Sequence, residues 1–358
     1  MWPFLVFGGL FAGAATLGRS GRPAALPWYA LFLVSVLFVG LRHSVGMDWN
    51  NYLRMIDNVA NADGVWAALN VTEPFYAILL LIGDATGFGI YATNLISAVI
   101  GLWGVWAFAR RTPNPWIALA AAMPMFIVVV SMSANRQALA AGLIMLLVAN
   151  WSRFSLPVRA GLIILIAGFH ASAIIFLAFV AIDLNVPRAV KIVGIAVFSL
   201  LAIYILQQSG YGEYYNQAYG EGQTEATQSS GALFHVAVNA IPATLYFLLP
   251  KYRGILFPTP LLKNMALAAL LTVPLVLVAS AAAGRVSLYW FPVSMFVWSA
   301  LPAVVSAQFR RPVGFFIGVA MVAIMVFWLQ FANSSAAHIP YENALFLNGW
   351  ELEIGVLP

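Results

Sequence analysis

The chain has no cysteine, which excludes disulfides, thiolate nucleophiles and cysteine-ligated metals. Charge is scarce as well. Only 8% of its 358 residues are Asp, Glu, Lys or Arg, against 63% hydrophobic residues and a mean hydropathy of +0.91. So little polar surface cannot cover a soluble globule, and the composition is that of an integral membrane protein. No long hydrophilic segment interrupts the apolar runs, so residues 1–358 read as one polytopic domain. No basic cluster exceeds two adjacent residues, which argues against nucleic acid as a partner despite a net charge of +5. The first run, MWPFLVFGGLFAGAATL, has no basic region before it and is expected to be a span rather than a cleaved signal peptide. P-loop, GxSxG and metal-ligand spacings are missing. No expected span carries a charged residue near its centre, which removes the usual relay of a coupled transporter.

What is there is a succession of apolar runs. At roughly 20 residues per crossing, spans are expected at 2–17, 26–41, 90–109, 115–131, 137–150, 157–169, 171–183, 190–206, 232–250, 264–282, 286–305 and 313–331, an all-α fold of about twelve transmembrane helices. With the N-terminus outside, Arg42, Arg54, Arg136 and Arg285 are the only four of the 17 Lys and Arg residues on the outer face, as positive-inside topology requires. The stretch TEPFYAILLLIGDATG is too short to cross and reads as a re-entrant or interfacial helix. Residues 157–183 must turn round near AGFHASA to keep the basic residues at both ends on one side, which sets His170 below the outer surface. Loops 42–89 and 207–231 then form the outer face, and the second, polar and Tyr-rich, is long enough to act as a lid.

Candidate chemistry gathers on that face. Arg136 and Arg285 are expected at the N-terminal ends of inward-running helices, where the dipole already supplies positive charge. Helix N–H groups and a guanidinium together suit a phosphate or diphosphate; snorkelling to lipid headgroups is the alternative. If ligand alone justifies these cations, removing them leaves stability unchanged or improved. From Asp48 a helix with Trp49, Leu53, Ile56 and Ala60 on one face would lie at the interface, with Asp48 as N-cap or base and Tyr52 as a belt aromatic or sugar contact. Glu73, before Pro74, is a helix cap or a base. His170 is a core histidine or a base, and His235 with Asn239 reads as a helix-packing pair.

In order along the chain, LRHSVGMDWNNYL, TEPFY, NRQALAAGLIMLL, GFHASAIIFL and GRVSLYWFP resemble the EpsG family of Wzy-like exopolysaccharide polymerases, whose pattern runs Arg-x-x-x-Gly-x-Asp-aromatic-x-x-Tyr, Glu-Pro, Arg-Gln, His-x-Ser-Ala and Arg-x-x-x-Tyr. The resemblance covers residues 42–295. Met47 stands where the family often has a small hydroxyl residue, and Trp49 where Tyr is common. It implies a GT-C-like polymerase in the bacterial inner membrane that moves a growing glycan from polyprenyl (undecaprenyl) diphosphate to a hydroxyl of the next lipid-linked oligosaccharide. Arg42, Arg136 and Arg285 would meet the diphosphate, with Asn135, Gln137, Tyr52 and Tyr289 beside them, and Asp48, Glu73 or His170 would be the base. No metal or other cofactor is needed if arginines neutralise the leaving group. A chain-length regulator and export machinery are the partners such an enzyme would have. An outer-face ligase, lipid-linked glycosyltransferase or acyltransferase is the alternative enzyme, and a lipid-linked glycan flippase the alternative from another class.

Overall fold

The computed structural model describes residues 1–18, 21–187, 189–191, 193–194 and 231–349. Its helices are α1 (Trp2–Leu17), α2 (Ala25–Gly40), α3 (Trp49–Ala60), α4 (Val65–Leu69), α5 (Pro74–Ala85), α6 (Gly89–Ala109), α7 (Pro115–Ser133), α8 (Asn135–Ala149), α9 (Leu156–Ala167), α10 (Ala171–Asp183), α11 (Ala232–Leu248), α12 (Pro250–Leu256), α13 (Pro260–Leu277), α14 (Ala279–Ala303) and α15 (Ala307–Phe331). Two short strands, β1 (Arg42–His43) and β2 (Glu342–Asn343), pair antiparallel with Arg42 opposite Asn343. The fold is thus helical throughout, as a polytopic membrane protein requires.

Five helices, α6, α7, α13, α14 and α15, are long and apolar enough to cross a bilayer, or six when the pair α11–α12, bent by 98°, counts as one span. The other expected crossings correspond to shorter apolar helices, α1, α2, α8, α9 and α10. The expected span at 190–206 and the lid at 207–231 fall almost wholly outside the described residues. A 15-residue α8 rises only about 22 Å, less than a hydrocarbon core about 30 Å thick. Twelve full-length crossings are therefore not what the helix lengths give. The helix start expected at Arg285 is also displaced. Pro274 removes a helical donor, and the chain breaks at Ala279 (φ −149°, ψ 67°), so Arg285 lies inside α14.

Helix α7 is the hub. Every residue from Pro115 to Met132 is buried, and a helix that is apolar all round has no solvent face to keep. Pro124 lacks the N–H that a regular ladder needs, and the stretch Met123–Val130 widens to π-helix; the Ser131 hydroxyl donates to the Phe126 carbonyl at 2.8 Å. Helix α8 then docks against α6 at glycines. A Cβ on Gly104 would stand 1.8 Å from the Gly142 carbonyl oxygen, and one on Gly142 would stand 2.2 Å from that of Gly101, so any side chain would force the helices apart.

Loops converge at the two ends of the bundle. At one end Arg22, Arg110, Arg111 and Asn150 share a cavity, and Asn114, Arg310 and Arg311 share another. At the opposite end the C-terminal tail folds across the helix ends: Tyr341 stacks on Phe38 and donates to its carbonyl at 2.7 Å, and Gly46 N–H reaches the Ala337 carbonyl at 2.7 Å. Gly46 has φ +110°, and a Cβ there would sit 1.9 Å from the Met132 carbonyl oxygen. Only glycine lets this loop press on the end of α7. That contact carries Asp48 toward the start of α8.

Candidate active site

At that second end the chain gathers residues from five separate stretches. The α9–α10 segment turns back at His170, as the charge pattern predicts: Asp183 at the end of α10 pairs with Arg159 near the start of α9 at 2.7 Å and accepts from Trp151 Nε1 at 2.9 Å, so the arms lie side by side. The tip of this hairpin is tied to α5 by the Phe75 N–H donating to the Gly168 carbonyl at 2.9 Å. His170 and Glu73 therefore meet.

Glu73 is the centre of the network. Its Oε2 accepts from Arg136 Nη1 at 2.8 Å and from Thr72 Oγ1 at 2.8 Å; its Oε1 accepts from His170 Nδ1 at 2.8 Å and from Ala171 N–H at 3.3 Å. Arg136 Nη1 also donates to Thr72 Oγ1 at 2.6 Å. Burial alone would raise the carboxyl, but the His170 hydrogen bond, the Arg136 charge and the Thr72 hydroxyl hold it well below the ordinary carboxylate range. Glu73 is thus an ionised acceptor with all its bonds made. It occupies the N-cap position of α5 yet makes no side-chain cap bond, so capping does not account for it. An acceptor so occupied is poorly placed to take a further proton.

His170 is different. Burial lowers its pKa, Arg136 and Arg285 push in the same direction, and Glu73 opposes them, which leaves a neutral ring. An ionised carboxylate can only accept, so the Nδ1 proton is directed at Glu73 and the lone pair stands on Nε2.

Asp48 starts α3 but its side chain makes no cap bond. Burial raises its carboxyl, and the charges of Arg136 and Arg285 oppose that rise. The buried face of α3 differs from the expected one. Trp49, Tyr52, Met55 and Val59 face the protein while Leu53 and Ile56 are half-buried and Ala60 is exposed. The reason is Tyr52, whose hydroxyl accepts the Arg136 backbone N–H at 3.3 Å, satisfying a donor at the start of α8. Tyr52 is 2% exposed and is no interface-belt aromatic.

Arg136 does occupy the first turn of α8, against the dipole, but its partner is Glu73. The expectation that this cation is spare for a ligand is corrected: losing it would strand a buried carboxylate. Arg285 lies in the second turn of α14 rather than at its start, and its backbone carbonyl accepts from Gln137 Nε2 at 2.6 Å, which binds α8 to α14 beside the site. One turn on, Tyr289 hydrogen-bonds Ser172 at 2.9 Å, joining α14 to the stretch that follows His170.

Two expected diphosphate contacts do not face the site. Arg42 is 0% exposed: Nε donates to the Val45 and Met132 carbonyls at 3.1 and 3.0 Å, Nη1 to the Val39 carbonyl at 2.7 Å, and Nη2 to Asn94 Oδ1 at 3.3 Å. It caps the carbonyl ends of α2 and α7, where a cation is favoured. Asn135 donates to that same Asn94 oxygen at 2.9 Å and to the Tyr76 hydroxyl at 3.1 Å, completing a buried polar network. Asn239 does act in packing, donating to the Ser287 carbonyl of α14 at 2.8 Å. Residue-by-residue reading missed Thr72, Asn94 and Ser172. Thr72 had a usable signal, a hydroxyl beside the Glu-Pro helix start.

Neither the curated proteins nor the solved structures give a match to this chain. A family does: residues 25–343, from α2 through β2, match the EpsG family. That span contains every site residue described above. The chain belongs to the EpsG family, a family of Wzy-like polysaccharide polymerases.

Proposed function

We propose that the chain is the polymerase that transfers a growing glycan from polyprenyl diphosphate to a hydroxyl of the next lipid-linked repeat unit, at the outer face of the cytoplasmic membrane. The observation that carries this is the Glu73-held, neutral His170 beside Arg136 and Arg285, at the bundle end away from Arg22, Arg110, Arg111, Arg310 and Arg311. Positive-inside topology assigns the arginine-rich end to the cytoplasm.

In the reaction, the acceptor oxygen forms a bond to the anomeric carbon and its proton passes to His170 Nε2. The bond from that carbon to the diphosphate oxygen breaks, and the electron pair leaves with the diphosphate. Arg285 supplies the positive charge that the leaving group needs, while the Arg136 charge is committed to Glu73. Glu73 holds the imidazole tautomer and orientation, as a carboxylate does for a catalytic histidine elsewhere. Asp48, whose carboxyl feels the charges of Arg136 and Arg285, is assigned to the acceptor sugar.

A strain lacking the protein should accumulate single lipid-linked repeat units on the outer leaflet and make no polymer. Units left facing the cytoplasm would instead identify a flippase. In this cysteine-free chain, a cysteine at Asp63 should be labelled in intact cells, and one at Ser155 only after permeabilisation; the reverse pattern would put the site on the wrong side.

A further inference from the structure

At the end of the bundle opposite His170 lies a cavity of about 570 Å³ between α2 and α6, walled by Arg22, Arg110, Arg111, Trp28, Tyr29 and Trp103. We propose that this cavity is a binding site for a phosphate-bearing group, the headgroup of an anionic phospholipid of the adjacent leaflet. Three guanidinium groups line it and, among the described residues, no carboxylate does. Asp183 lines a second cavity that Arg111 also borders, and it is engaged by Arg159 and Trp151.

Two of the arginines are already aimed by neutral partners. Arg110 donates to the Tyr29 hydroxyl at 3.3 Å with its guanidinium 6.0 Å from the Trp28 ring centre, and Arg111 donates to Asn150 Oδ1 at 3.5 Å. Each contact uses one N–H of a five-donor fork and neutralises no charge. Adjacent in sequence, the two side chains line one cavity from different partners, Tyr29 of α2 and Asn150 after α8, so a group bound in the cavity can meet both.

The aromatic wall favours a lipid over a free anion. Tyr29 and Trp103 are 44% and 47% exposed, at the rim where α2 and α6 face the surroundings. Amphipathic rings stand at the headgroup level of a bilayer, and basic pockets between transmembrane helices suit anionic headgroups. A phosphodiester would enter between the arginines while its acyl chains leave past the rings.

The test is lipid retention by purified full-length protein, read by native mass spectrometry after exchange into phosphatidylcholine or into phosphatidylcholine with phosphatidylglycerol. Wild type should retain phosphatidylglycerol in preference to phosphatidylcholine. Arg110→Gln with Arg111→Gln should cut that preference roughly thirtyfold, at about one surface charge interaction per arginine, and should remove the rise in melting temperature that phosphatidylglycerol gives. Arg153→Gln, exposed on the same end but outside the cavity, should change neither. A second arm adds inorganic phosphate alone: if it stabilises wild type and not the double variant while phosphatidylglycerol does nothing, the phosphate site stands and its source is the free anion. Equal phosphatidylglycerol retention by wild type and the double variant, or a loss at Arg153→Gln as large as theirs, would overturn the proposal in favour of diffuse attraction to a basic surface.

Discussion

Arg136→Ala gives the sharpest energetic test of the site as built. The guanidinium is 13% exposed and the Glu73 side chain 5%, so the pair at 2.8 Å is screened little by solvent. Removing one member of a buried pair costs about 3–5 kcal/mol, because the other charge is stranded. Glu73 keeps its bonds from Thr72, His170 and Ala171, which puts the loss at the low end. Taking a cation out of the first turn of α8 returns about 0.3–1 kcal/mol, and the net is a destabilisation of about 2 kcal/mol. The assay is thermal or denaturant unfolding in detergent, run as a cycle with Glu73→Gln and the double variant. Without ligand, Arg136→Ala should unfold more easily than wild type, and adding Glu73→Gln should restore part of the loss, since no charge is then left unpaired. An Arg136→Ala protein as stable as wild type or more so, with no coupling to Glu73, would refute the ion-pair account and return this arginine to the role of a spare cation held for ligand.

Other perturbations separate framework from chemistry. Gly142→Ala places a methyl 2.2 Å from the Gly101 carbonyl oxygen and should cost about 1–3 kcal/mol by unfolding in detergent, whereas Gly9→Ala, with nothing within 4 Å, should be near neutral. Arg42→Ala strands buried carbonyls of α2 and α7 at about 1–3 kcal/mol per group; it should lower folded yield, while the folded fraction still binds polyprenyl diphosphate in a pull-down, and folded Arg285→Ala should lose that binding. For pH, a base must be neutral to accept a proton, and burial sets the His170 pKa below its ordinary value of about 6.5. Initial rates of chain growth should therefore stay flat from mildly alkaline pH down to about 6.5 and fall below it, with Glu73 still ionised in that window; a limb centred above neutrality would contradict this assignment.

Much of this arrangement was legible in the sequence where a single constraint dominated. Charge segregation alone required a turn at His170, and the Arg159–Asp183 pair across the hairpin shows that turn. Apolar runs marked most helices because lipid or core burial leaves little other choice. Partner choice was not legible. Whether Arg42 faces a ligand or two helix ends depends on where Val39 and Met132 arrive in space, 90 residues apart in the chain for Arg42 and Met132. Arg136 looked misplaced because a helix dipole is a local property, while its counter-charge, Glu73, comes from another element. Periodicity chose the wrong face of α3 by a fraction of a turn, because hydropathy does not register that a tyrosine hydroxyl can enter the core if a backbone N–H awaits it. Helix breaks were the least legible: proline at 274 signals one, but the bend falls at Ala279 and carries Arg285 into a helix.

The central claim is that His170 Nε2 takes the acceptor proton while Glu73 holds the ring. It is tested most directly by single-turnover transfer in proteoliposomes, with purified His170→Ala and wild-type protein and the lipid-linked repeat unit of the host. The account predicts a fall in the chemical rate of about 10²–10⁴ for His170→Ala, with lipid-linked substrate still bound and the protein still folded. Transfer by His170→Ala within a few fold of wild type would contradict it and move the base to Asp48.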